Sequence, residues 1–206
     1  MLDRRRQLLD SARELFLQQS YEHVTTTTIA KSAGVAYGLI AHHFGNKRGL
    51  YLAVMNEIAD ELRAHRDKPI EHGTPLEQLR ASLTRHIEFV DAHAEGFVAV
   101  MTGGLGADPE LRAMVDSLRW SGAQRILDAV GLTDPIPPAL RTSMKGWVGC
   151  LDEMMIDRIA HGDIDIGDVV SLASANLITS LRTALHIDRS GIDPSVVDFI
   201  DTLPTD

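Results

Sequence analysis

The 206-residue chain is 44% hydrophobic but only 5% aromatic and carries a net charge of −9, enough apolar content to bury the core of one domain or two small ones. Its richness in Ala, Leu, Ile and Val favours packed helices over a β-sandwich, and its single cysteine, Cys150, excludes an internal disulfide and fits a reducing cytoplasm. Met1 leads directly into the charged stretch LDRRRQ, with no signal sequence in view, and the longest uncharged stretches (96–107 and 169–181) fall short of the ~18 residues a membrane span needs, so a soluble cytoplasmic protein is expected.

The charge is unevenly divided. Residues 1–50 hold seven Lys and Arg against four acids, a net +3, which leaves −12 for the remainder. A basic head joined to an acidic body can approach phosphates only with its head. The first helix is predicted over about residues 3–19, with Leu8, Leu9, Ala12, Leu15 and Phe16 on one side. Arg4, Arg5 and Arg6 near its start are either a solvated run or an arm reaching a phosphate or the minor groove.

Residues 25–44 read TTTTIAKSAGVAYGLIAHHF. Thr25 or Thr26 can cap a short helix whose Ile29, Ala30 and Ala33 share one side. Gly34 stands where the chain turns sharply, and glycine adopts positive φ at little cost. Val35 supplies an apolar plug, and Ile40 and Phe44, four apart, give a helix over 37–44 its own buried stripe. This is the helix-turn-helix pattern, whose second helix enters the DNA major groove. Gly45-Asn46 ends that helix, and Asn46 can cap a fourth over about 47–66, bearing Leu50, Val54, Ile58 and Leu62. At ~1.5 Å per residue it is long enough to link two halves of a molecule.

Beyond it, Thr74-Pro75-Leu76-Glu77 is a capping box that opens a helix with the stripe Leu76, Leu79, Leu83, Ile87, Val90. A shorter apolar piece follows at 97–101, and Gly103, Gly104 and Gly106 suggest a bend where a cavity opens. Asp108-Pro109 starts a helix that ends before Gly131, and 133–138 is a loop. Two long helices are expected at about 139–160 and 165–185, with a partly loose tail from Asp188. The fold class is therefore all-α, with about nine helices and no strands.

The run from Tyr21 through Thr26, the run from Ile29 through Val35, and Ile40 with His43-Phe44-Gly45-Asn46-Lys47-Arg48-Gly49-Leu50-Tyr51 resemble the TetR family of bacterial transcriptional regulators. The resemblance covers about residues 8–55. A generic helix-turn-helix is not followed by His-Phe-x-x-Lys-x-x-Leu. The resemblance implies a helix-turn-helix DNA-binding domain over 1–50, helix four (47–66) as connector, and a ligand-binding and dimerisation domain over 51–206. It also implies a homodimer through the last two long helices, and most often repression relieved when a small molecule binds. Position by position it places Thr26, His43 and Lys47 on backbone phosphates and Thr27 on a base or phosphate. It places Tyr37, Gly38 and Leu39 at the front of the recognition helix, facing base edges of double-stranded operator DNA. Ala41 stands where the family usually has a DNA-contacting Tyr, so His42 is expected to take over a phosphate contact. Ser20 replaces the usual Gly at the end of helix one. Ala41 also keeps open a second reading, a helical sensor that has lost specific DNA binding.

No glycine-rich phosphate loop, Cys–His pair or metal-ligand cluster marks an enzyme or a cofactor site. His42 and His43 point ~100° apart on a helix and do not easily share an ion. Asp152, Glu153 and Asp157 read as a solvated helix face. Phe89, Phe97, Met101, Trp120 and Trp147 can line a pocket for a small, largely apolar effector, with His86 and His93 on one side of a helix to orient it. For the dimer face, Gly146, Gly149 and Cys150 on the first long helix and Ala173, Ala175, Leu177, Leu181 and Ala184 on the second form a wide apolar strip.

Overall fold

The computed structural model describes residues 3–102 and 108–204, and among these it contains ten helices and no strand. They are α1 (Arg4–Gln18), α2 (Thr26–Ser32), α3 (Gly38–Phe44), α4 (Lys47–Arg66), α5 (Pro75–Ala92), α6 (Ala94–Thr102), α7 (Pro109–Ala129), α8 (Pro138–His161), α9 (Ile166–Ile187) and α10 (Pro194–Thr202). The chain forms two compact units, Met1–Ala64 with Ala92–Val115 and His65–Asp91 with Asp116–Asp206. The division falls within α4, α5 and α7.

In the first unit the helix ends follow from local side-chain chemistry. Asp3 accepts the Arg5 N–H at 3.0 Å and starts α1. Thr25, rather than Thr26, caps α2 by accepting the Thr28 N–H at 3.1 Å. Gly34 makes the turn at φ +64°, and the Val35 N–H donates back to the Ala30 carbonyl at 3.1 Å. Asn46 accepts the Gly49 N–H at 2.9 Å and caps α4. The core joins Leu8, Leu9, Ala12 and Phe16 of α1 to Ile29 and Ala30 of α2, Ile40 of α3, Leu50, Tyr51 and Val54 of α4, and Leu111 of α7. Val35, Leu39 and Phe44 pack partly against it. Arg4, Arg5 and Arg6 are not a free arm, because Asp3 caps the chain into helix immediately before them.

The second unit is organised by α8 and α9. Met144, Trp147, Leu151 and Met155 of α8 are buried, as are Ala173, Leu177, Leu181 and Ala184 of α9. The Trp147 indole N–H donates to the Ala173 carbonyl at 2.9 Å, and the Ser143 hydroxyl to the Ser180 carbonyl at 3.0 Å. This corrects the α9 part of the expected dimer face, while Gly146 is exposed and Gly149, Cys150 and Ala175 are half-buried. Ala173, Leu177, Leu181 and Ala184 are at most 2% exposed within a single chain. The stripe of α9 left open runs instead through Leu172, Asn176, Thr179, Thr183 and Ile187.

Thr74 and Glu77 form the expected capping box, Glu77 accepting the Thr74 N–H at 2.7 Å and Thr74 accepting the Glu77 N–H at 3.3 Å. His93 lies beyond the end of α5, so His86 and His93 do not share a helix face. Asp152 is not on a solvated face but buried, 2.6 Å from Arg119. The tail over 188–204 is not loose. Asp193 caps α10 by accepting the Ser195 N–H, Pro194 takes its first turn, and Ile200 is fully buried. Arg182 of α9 donates to the carbonyls of Ile200, Asp201 and Leu203 at its end. Gly103, Gly104 and Gly106, read as a bend, lie outside the described residues.

A Cβ at Gly49 would run into the Phe44 carbonyl oxygen of the backbone. Alanine is ordinarily ~1 kcal/mol better than glycine inside a helix, so the sign of a Gly49→Ala substitution is diagnostic. We expect a net loss of about 1–3 kcal/mol from the forced shift, read by urea unfolding. A stabilised variant would show that the junction between α3 and α4 is loose.

Candidate nucleic-acid interface

The sequence-predicted DNA contacts fall on three consecutive elements. Thr26 is the first residue of α2 and Thr27 the second, with Thr27 exposed. Tyr37 immediately precedes α3 and is 61% exposed, while Ile40 on the opposite side is 2% exposed. The Thr26 hydroxyl donates to the Tyr37 hydroxyl at 3.3 Å, which ties the start of α2 to the front of α3. Gly38 faces open space, where an added Cβ would meet nothing within 4 Å. Leu39 is half-buried against the core, so less of it than of Tyr37 is left to meet a ligand. Ala41 and His42 are exposed, and His43 is half-buried. The rings of His42 and His43 meet edge to face with centroids 4.8 Å apart.

Lys47 opens α4, and its Nζ lies 4.0 Å from the centroid of the Tyr21 ring. Burial lowers its pKa, with Glu22 acting weakly the other way. The neighbouring Arg48 is engaged elsewhere. It reaches Asp108 at 2.5 and 2.8 Å and Glu110 at 2.9 Å. The Arg48 guanidinium beside Asp108 holds that carboxyl well below the usual range. Asp108 in turn accepts the Glu110 N–H at 2.9 Å at the start of α7. Arg5 lies over the Phe44 ring, 5.3 Å from its centroid. The partnerships of Tyr21 with Lys47 and of Arg48 with Asp108 escaped the sequence reading, since neither has a local signal.

Residues 8–54 match the bacterial regulatory proteins, tetR family, and residues 75–185 match the tetracyclin repressor-like C-terminal domain. The second match alone covers more than half of the chain. The chain belongs to the TetR family. The family is one of bacterial regulatory proteins, not of enzymes. The chain is 30% identical over 129 residues to the HTH-type transcriptional activator FasR of Mycolicibacterium smegmatis, covering 62% of this chain and 59% of that protein. It is 31% identical over 125 residues to the HTH-type transcriptional repressor AcnR of Corynebacterium diphtheriae, covering 61% and 60%. The chain thus spans about three fifths of the length of these curated relatives. A tetR-family regulator from Streptomyces coelicolor superposes with a TM-score of 0.82 at 26% identity, over 98% of this chain and 90% of that one.

The effector candidates of this TetR-family chain are divided between the two units. Phe97 and Met101 belong to the first unit, and Phe89, Trp120 and Trp147 to the second. Phe89 packs against His65 with ring centroids 5.5 Å apart, and Trp147 is committed to the α8–α9 core. Among the described residues no group of three or more His, Cys, Asp or Glu is placed to share a metal ion. No helix among them is long and apolar enough to cross a membrane.

His86 is the most perturbed group on this side. Its Nδ1 is shut off from solvent without a hydrogen-bond partner. Burial, helped by the charge of Arg66, pushes its pKa down from 6.5 to about 4. Between those values the unfolded chain binds a proton that the native chain refuses, so His86 makes stability rise with pH across that window. A single group of this kind contributes at most about 1.4 kcal/mol per pH unit. Urea unfolding at several pH values should show wild type losing stability relative to His86→Leu as pH falls from 6.5 to 4. Parallel curves for the two proteins would place the ring in contact with water.

Proposed function

We propose that this regulator acts as a homodimeric repressor on a pseudo-palindromic operator and is released by a small, largely apolar effector. The observation that carries the DNA contact is Tyr37, a large apolar side chain left 61% exposed at the front of α3 while the rest of that helix turns Ile40 into the core. Thr26, Thr27, Gly38, Leu39, His42, His43 and Lys47 complete the proposed surface. Phosphate contacts from Thr26, His42, His43 and Lys47 set the register, and Tyr37, Gly38 and Leu39 meet base edges. The DNA-binding domain is assigned to 1–50, the connector to 47–66, and ligand binding and dimerisation to 51–206.

For the dimer, Leu172 and Ile187 of α9 remain 53% and 71% exposed. Ile187 also lines a shallow, mainly apolar groove with Pro138, Ala139, Thr142, Ser143, Thr183 and Ala184. Such a surface suits an isologous contact in which α8 and α9 meet their copies in the partner. Repression matches the name of the AcnR relative, whereas FasR is named an activator. Effector control operates as a population shift, requiring a ligand that prefers one spacing of the two heads over the other. The Met and aromatic side chains of the second unit support an apolar ligand.

Fluorescence anisotropy with duplexes from the region upstream of its own gene tests the DNA surface. Lys47→Ala should weaken every duplex about eightfold at 0.1 M salt and lower the salt slope by ~0.9, as expected for one lost phosphate contact. Tyr37→Ala should instead narrow the gap between operator and unrelated DNA. If neither variant changes binding, the docking is wrong. The same duplex placed before a reporter should give lower expression when the protein is present. Separately, Ile187→Asp should yield monomers by light scattering, and a variant that remains dimeric would move the interface away from α9.

A further inference from the structure

Of the side chains around the proposed DNA surface, Tyr21 has a placement that the docking scheme does not use. The Lys47 ammonium sits 4.0 Å from its ring centroid, well inside the ~6 Å reach of a cation–π contact. The ring is itself anchored. It stacks on Phe16 at 5.9 Å and meets Tyr51 edge to face at 5.0 Å, while Phe16 and Tyr51 meet each other at 4.9 Å. Phe16 and Tyr51 are 3% and 5% exposed, so Tyr21 is fixed to the core of the first unit and offers Lys47 a face that does not swing away.

We infer that Tyr21 is a positioning residue for DNA binding, its ring holding the Lys47 ammonium ready for a backbone phosphate. This rests on reading Lys47 as a phosphate contact. A lysine side chain otherwise has much rotamer freedom to lose when it is pinned by a ligand. The ring removes part of that freedom before DNA arrives. An ammonium has three N–H donors, and a ring on one side leaves the others for phosphate oxygens. Partial desolvation, which lowers the Lys47 pKa, also weakens dielectric screening between the ammonium and an incoming phosphate. The phenol hydroxyl plays no part in this, so a ring without it should serve equally well.

The probe is a fluorescein-labelled duplex enriched by the wild-type protein from a random 30-base-pair library at about 0.1 M salt. Tyr21→Phe should bind it as wild type does. Tyr21→Leu should bind about two- to fivefold more weakly, the usual worth of an exposed cation–π contact. In a Lys47→Ala background Tyr21→Leu should have no further effect. Pentafluorophenylalanine incorporated at position 21 keeps the ring's shape but reverses its face potential, and should reproduce the loss even if Tyr21→Leu fails to fold. In NMR spectra the Lys47 Hε signals should be shifted upfield by the ring in wild type and Tyr21→Phe, a signature that a purely structural role would not produce. Wild-type affinity in the fluorinated protein overturns the inference, as does a loss from Tyr21→Leu that persists undiminished without Lys47. Unchanged binding by Lys47→Ala would remove the phosphate reading itself, and the inference with it. Weakened binding by Lys47→Ala with unchanged binding by the fluorinated protein would remove the inference alone.

Discussion

Everything that this protein presents at its helix-turn-helix depends on how the end of α3 is pressed against the first turn of α4. The Phe44 carbonyl approaches Gly49 so closely that no side chain fits there. The intervening Gly45 takes φ +76° and Asn46 caps the following turn. With Ile40 and Leu50 almost wholly buried on the inner side, α3 and the start of α4 share one core. Burial of each such side chain is worth roughly 1.5–3 kcal/mol. The distance from Tyr37 at one end of α3 to Lys47 at the head of α4 is therefore set by packing, not by a flexible link. A recognition surface spread over two helices needs that rigidity to hold its register on a duplex.

A second tie reaches further along the chain. Arg48 grips Asp108 with two hydrogen bonds, and the same carboxylate caps α7. The Arg48 side chain is 43% exposed, so the pair stabilises less than its short distances suggest, although its bidentate geometry raises it above an ordinary surface ion pair. Its consequence is positional. The opening turn of α7, with Leu111 buried in the core of the first unit, is held to the residue next to Lys47. The later part of the same helix carries Trp120 and belongs to the second unit. The helix that begins beside Arg48 therefore continues into the second unit.

What could be read from the sequence was what is decided within about four residues. The Thr25 cap, the Gly34 turn, the Asn46 cap and the reciprocal Thr74–Glu77 pair are local, and each has the partner its residue type demands. The tenth helix was hidden because Gly191 and Pro194 look like breakers, although proline is well tolerated in the first turn of a helix. What holds it is Arg182, some twenty positions earlier, reaching its last carbonyls. On α9 the apolar residues exceed what one neighbour needs, and periodicity does not say which stripe faces inward. The purely apolar one, through Ala173, Leu177, Leu181 and Ala184, is covered by the chain itself. The stripe left outside is mixed, with Leu172 and Ile187 flanking Thr179 and Thr183. Tyr21 and Lys47 are 26 positions apart, Arg48 and Asp108 are 60 apart, and only the fold brings either pair together.

The structure also changes the meaning of the basic head. Counted along the sequence, residues 1–50 offer seven cations. Arg6 is paired with Asp10 and Glu57, Arg13 with Glu61, and Arg48 with Asp108 and Glu110. Apart from Asp10, those acids lie beyond residue 50, in what the charge division counted as the acidic body. The +3 that distinguished the head is therefore largely neutralised by acids from the same compact unit. Arg5 leans on Phe44. The long-range pull on a polyanion is weaker than the count implies, and under the proposed docking more of the binding falls on cations whose position is fixed. Lys47 is such a cation: half-buried, at a helix start locked by Gly49, and resting on an aromatic ring set into the core. A regulator with few free charges gains little from non-specific attraction, so discrimination rests on placement.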